Sequence, residues 1–145
     1  CRYSVDTAAT HPMTYATRPR QSAHRGDRYR EMEVLSAAPG ALVVMVYDHL
    51  LASLTRARQA IVAQNHEARA LEFGRARDAI GELLVTLDPK QGGPVAARLA
   101  DLYTFFLREL ATLGIDPALD RLDRVTTMVR ELREAFAGIQ HGVKQ

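Results

Sequence analysis

The sequence predicts an all-α protein: an antiparallel four-helix bundle preceded by a disordered N-terminal tail and a short apolar segment that docks on the bundle. Three observations carry this expectation. Apolar residues recur at steps of three and four in four separate stretches, proline and glycine interrupt the chain between them, and no stretch sustains period-two alternation. Helices of similar length joined by short connections pack as antiparallel neighbours. The chain has 145 residues and 47% hydrophobic content, which suffices for one core without metals or crosslinks.

Residues 1–28 mix Thr, Ser, Pro, Arg and Gly with almost no periodic apolar residues. Such a segment buries too little surface to offset its ordering entropy, so it is predicted to be a disordered tail or an added extension. Cys1 stands where an initiator methionine is expected, which points to a processed, engineered or truncated start, and Met13 offers an alternative natural one. From Tyr29 the pattern changes. Tyr29, Met32, Val34 and Leu35 form an apolar island placed to dock on the bundle, and residues 29–141 are read as a single folded domain.

The first helix is predicted over roughly 39–64. Pro39 suits a first helical turn and Ser36 just upstream can cap it, its side-chain oxygen accepting from a backbone N–H. Its inner stripe is Val43, Val46, Leu50, Leu54, Ala57 and Ile61. The six consecutive apolar or aromatic residues from Leu42 to Tyr47 sweep the whole circumference at about 100° per residue, so one intramolecular seam cannot cover them all. Either the chain packs this helix all round, or a face is left over for a partner. The second helix is predicted over roughly 67–87, with Phe73, Ala76, Ile80, Leu83 or Leu84, and Leu87 inside. Residues 88–94, with two prolines and a glycine pair, break the chain. The third helix is expected from about Pro94 to Gly114, with Val95, Leu99, Leu102, Phe106, Leu110 and Leu113 inside. Asp116 and Pro117 read as the cap and first residue of the fourth, which buries Leu122, Val125, Val129, Leu132, Phe136 and Ile139.

The net charge of +2 is unevenly divided. Six arginines against three acids lie in residues 1–31, which leaves the folded part almost neutral. Nucleic-acid binding places a basic face on a folded element, whereas this excess sits in a tail, so no nucleic-acid partner is expected. No apolar run reaches the roughly 18 residues of a membrane span, so no membrane insertion is expected. The single Cys1 cannot form an internal disulfide, which suits a reducing compartment.

No catalytic constellation, cofactor site or metal site is legible, and the chain is read as a non-enzyme. A di-iron bundle needs Glu-x-x-His pairs, and none of the five histidines has Glu three residues before it. There is no zinc spacing, phosphate loop or nucleophile elbow. His49 invites a phosphotransfer reading, since a helix-borne histidine can carry a phosphoryl group, but Leu50, Leu51 and Ala52 follow it and give an anion no support. Tyr47 and Tyr103 read first as core rings with a hydroxyl at the rim. A structural helical oligomer, burying the surplus face of the first helix against a copy of itself, is the third reading.

Taken together, Tyr29, Val34, Ser36 to Pro39, Leu42, Met45 to Asp48, Ile80 with Leu83 and Leu87, Gly92-Gly93, Ala97 with Leu99, Leu102 and Tyr103, and Leu132 to Phe136 resemble the flagellar export chaperone FliS family. The resemblance covers residues 29–139, with the motifs in the family's order. Phe136 stands where the family commonly has Trp, Val46 where it commonly has Leu, and the N-terminal extension is longer than usual.

The resemblance implies a cytoplasmic helical bundle without cofactors. It would bind the C-terminal helical segment of flagellin, prevent its premature polymerisation and assist its delivery to the flagellar type III export machinery. The matching positions imply Tyr29, Val34, Leu42, Met45, Tyr47, Leu102, Tyr103 and Phe106 as flagellin-binding residues. Apolar surface with no chemistry is also what helix-in-groove recognition requires. The island Tyr29–Leu35 is further expected to cover part of the client groove in the free protein, because a tethered segment has a high effective concentration.

Overall fold

The computed structural model describes residues 40–142, with side chains through Gly138. The tail over 1–28 and the apolar segment over 29–35 lie outside the described residues. Four helices follow one another: α1 Gly40–Val62, α2 His66–Thr86, α3 Pro89–Ile115 and α4 Leu119–Gly142. No strand ladder accompanies them among the described residues. Each helix packs on the next and α4 closes onto α1, so α1 lies diagonally across from α3, and α2 from α4.

The helix ends have specific causes. Gln64 takes a left-handed φ of 56°. Its N–H donates to the Ile61 carbonyl at 3.0 Å, and that of Asn65 donates to Ala60 at 2.9 Å. This is the paired bonding of a Schellman stop. Asn65 then caps α2, its side chain accepting from the Ala68 N–H at 3.0 Å. Two residues thus end one helix and start another, which makes the α1–α2 hairpin tight. Asp88 caps the next helix by accepting from the N–H groups of Lys90 and Gln91, with Pro89 in its first turn. The expected break is real and lies at Gly93, whose φ of 56° and ψ of −137° interrupt the helix. A residue with a side chain is strained there.

Two expectations about helix ends are corrected. Gly114 does not terminate α3: positive φ among the described glycines is confined to Gly93, and the helix runs on to Ile115. Asp116 is the C-cap of α3, donating its N–H to the Thr112 carbonyl at 2.8 Å, and does not cap α4. The first carbonyl of α4 comes from Ala118, which accepts from the Leu122 N–H.

The core is built from Tyr47, Leu50 and Leu54 of α1, Phe73, Ile80 and Leu83 of α2, Tyr103, Phe106 and Leu110 of α3, and Leu122, Val125 and Val129 of α4. Two predicted inner positions shift by one residue. Tyr47 is fully buried while Val46 is only partly so, and Ala96 is buried while Val95 stays 48% exposed. A large ring reaches the centre from Tyr47, whereas the smaller Ala96 fits where α3 leaves its break at Gly93.

Outside the core, two ion pairs lock α1 to α4. Arg58 Nε donates to Asp123 at 2.8 Å and Arg133 Nε to Asp48 at 2.8 Å, each with a second nitrogen approaching the other oxygen. The spacing from Asp48 to Arg58 equals that from Asp123 to Arg133, so the pairs fix one antiparallel register. The Arg58 hydrogen bond holds the Asp123 carboxyl below its usual range.

Candidate functional site

Six of the eight residues singled out in the sequence lie among the described residues, and they do not share one surface. Tyr47, Tyr103 and Phe106 are at most 1% exposed. The two tyrosine hydroxyls hydrogen bond to each other in the interior, and the Tyr47 ring stacks obliquely on Phe136, centroid to centroid 5.4 Å. Burial raises the ionisation range of both phenols. These rings therefore form the floor beneath any docking surface. Leu42 and Met45 stand about half exposed on α1, and Leu102 is partly buried on α3. Tyr29 and Val34 lie outside the described residues.

Among the described residues, two surfaces differ in their chemistry. The first is the seam between α3 and α4, the neighbouring pair that approach each other least. Glu109 of α3 pairs with Arg121 of α4 at 3.3 Å and fixes which sides face one another. Leu102 and Phe105 lie on the same side of α3 as Glu109, and Met128 and Leu132 on the same side of α4 as Arg121, by helical spacing. All four are only partly covered by the bundle. Val95 extends this side of α3 one further heptad towards the break at Gly93. The seam thus presents Val95, Leu102, Phe105, Met128 and Leu132, with the exposed Arg98 on the same side of α3, and an ion pair closes one end. Phe105 and Met128 carry no expectation in the sequence, and Val95 is expected there as an inner residue of the third helix. Adjacent Phe105 and Phe106 are the available signal, since two neighbouring rings on a helix cannot both face one core.

The second surface is a groove of about 330 Å³ between α1 and α2, lined by Val46, His49, Ser53, Arg56, Asp78 and Glu82 among others. Behind it Glu72 is buried, one carboxylate oxygen held by Arg56 at 3.2 Å and Arg75 at 3.0 Å. Its other oxygen is buried without a hydrogen-bond partner among the described residues. Leu42 and Met45 precede His49 and Ala52 by one heptad and carry the same side of α1 beyond the groove. The surplus face expected of α1 is therefore present, and it lies beside α2, away from the α3/α4 seam. Asp78 and Glu82 line this groove with His49, and the two arginines that line it as well, Arg56 and Arg75, are engaged by the Glu72 carboxylate. The phosphotransfer reading finds no support in this geometry.

No described helix is long and apolar enough to cross a membrane. The family model described as "Flagellar protein FliS" matches residues 21–143. Among curated relatives, the flagellar secretion chaperone FliS of Campylobacter jejuni is 29% identical over 113 residues, covering 78% of this chain and 88% of that protein. The protein of the same name from Salmonella typhimurium is 27% identical over 110 residues, covering 75% and 82%. That of Bacillus subtilis is 28% identical over 108 residues, covering 74% and 80%.

Proposed function

The chain belongs to the flagellar protein FliS family, and from that premise we propose that it is a secretion chaperone whose client is the C-terminal helical segment of flagellin. It holds that segment in the bacterial cytosol, keeps it from polymerising and hands it to the flagellar export apparatus. The observation that carries the reading is the α3/α4 seam, where the bundle leaves Leu102, Phe105, Met128 and Leu132 only partly covered.

An amphipathic client helix laid along this seam would exchange water for those side chains. Burying apolar surface yields roughly 25 cal/mol per Å² before ordering costs. Tyr103 and Phe106 support the seam from below, because their rings are packed in the core. The Glu109–Arg121 pair marks where the client must stop or turn outward. Nothing in this mechanism makes or breaks a covalent bond: covering the client's apolar stripe is the whole of the activity.

Titration calorimetry of the full chain with a peptide spanning the flagellin C-terminal segment tests this. A 1:1 complex whose heat-capacity change on binding is negative is expected, the latter being the mark of apolar burial. Absence of binding by a protein that is folded by circular dichroism would reject flagellin as the client.

A further inference from the structure

Arg98 stands within the apolar side of the α3/α4 seam. It lies one turn after the half-exposed Val95 and one turn before Leu102, on the same side of α3. The two helices run antiparallel and the Glu109–Arg121 pair sets their levels, so equal steps back along α3 and forward along α4 reach facing residues. Seven residues from the pair, Leu102 faces Met128; eleven residues from it, Arg98 faces Leu132, which the bundle covers only in part. The arginine thus has apolar neighbours before it, after it and across from it.

The two ends of the seam therefore differ electrically. At one end Glu109 and Arg121 satisfy each other at 3.3 Å. At the other end the nearest acids by helical position are Asp101 and Glu131, both exposed. Asp101 is turned about 60° further from the core than Arg98, and Glu131 is about 100° round α4 from Leu132. A client helix that covers Val95, Leu102 and Leu132 takes water away from the guanidinium between them. A charge deprived of water is costly unless an opposite charge meets it. Apolar contacts alone also let a client slide by a turn or lie in either direction, whereas a charge at one end of the stripe penalises the wrong placements.

On the reading that the client lies in this seam, we propose that Arg98 selects and orients it: the arginine takes an acidic side chain at one end of the client's apolar stripe and so fixes the direction and register of the bound helix. Arginine suits the task, because its planar fork donates two parallel hydrogen bonds to a carboxylate and its stem covers apolar surface. From that acid the client's apolar residues follow at steps of three, four and seven towards the Glu109 end, where they meet Leu102, Phe105 and Met128.

Calorimetric affinities of the full chain for a peptide spanning the flagellin C-terminal segment test it. Arg98→Gln should weaken binding at least about tenfold and Arg98→Glu further, while Arg98→Lys should keep part of the affinity. Circular dichroism should show all three folded, since Arg98 is exposed. Replacing the acids of the peptide by Lys one at a time should single out one whose loss is large with the natural chain. The same peptide should bind Arg98→Glu better than the natural peptide does, a rescue that a merely structural arginine would not give. Equal affinity of the natural chain and Arg98→Gln overturns the proposal, because the guanidinium then reaches past the client into water. So does rescue by no single peptide acid, or a loss from Asp101→Asn or Glu131→Gln as large as that from Arg98→Gln, which would place the neutralising charge within this chain. Should Leu102→Ala and Met128→Ala weaken binding while the Arg98 variants do not, the chaperone reading stands without this assignment. A natural chain that binds no peptide rejects both.

Discussion

Tyr47 and Tyr103 join hydroxyl to hydroxyl at the centre of the bundle, linking α1 to α3, two helices that lie diagonally opposite each other. The bond joins two polar groups among apolar core side chains, with Phe136 against one ring. Either hydroxyl left alone there would be a buried polar group without a partner, and that costs more than the bond contributes.

Single replacements Tyr47→Phe and Tyr103→Phe should therefore each destabilise the fold by about 1–2 kcal/mol. The double replacement should cost clearly less than the sum, because it removes both orphans at once. Urea unfolding of the four proteins measures this coupling. Additive losses would mean that the hydroxyls do not depend on each other.

Burial also pushes both phenols above their ordinary ionisation range. The stabilisation this represents is fully present below the unfolded tyrosine range of about 10 and is lost as pH rises above it. An ultraviolet titration should show Tyr47 and Tyr103 ionising only together with unfolding.

Asp123 carries the opposite sign. The hydrogen bond from Arg58 depresses its folded ionisation, so its contribution is present above the ordinary carboxylate range and fades as pH falls through the lowered value. The stability gap between the natural chain and Asp123→Asn should shrink on acidification. It should be small throughout, since both partners are solvent-exposed.

Gln64 holds a left-handed conformation between α1 and α2 that glycine adopts without cost. Gln64→Gly should stabilise the protein by about 1 kcal/mol despite the greater freedom of its unfolded chain. Thermal unfolding gives the sign directly. Asn65→Ala, which removes the α2 cap, should destabilise by about 1 kcal/mol.

The four helices were legible because their apolar steps are regular and their breaks are marked by Pro and Gly. The surplus face of α1 was legible for the same reason, since six apolar residues in a row cannot share one seam. The candidate site was less so. Periodicity separates inside from outside but does not say which of two neighbouring helices an outward residue leans towards. Leu42 and Leu102 are both implied by the family resemblance, which does not say whether they share a surface, and helical spacing sets them on different sides of the bundle. Gln64 escaped notice because a left-handed stop is usually written with Gly or Asn, and Glu72 because a charged residue in a helix reads as solvated. Tyr47 and Tyr103 were expected with hydroxyls at the rim, and it is their mutual bond that allows them inside.

The central claim, that flagellin's C-terminal segment is held in the α3/α4 seam, is tested most directly by calorimetric affinities of two sets of folded variants. Leu102→Ala and Met128→Ala in the seam should each weaken binding by about 1–3 kcal/mol, with unfolding temperatures that show the bundle intact. Leu42→Ala and Met45→Ala, on the α1/α2 side, should leave the affinity within about 0.5 kcal/mol of the natural chain. The reverse pattern, weakened binding from Leu42 and Met45 with the seam variants unchanged, would contradict it and move the client to the other face.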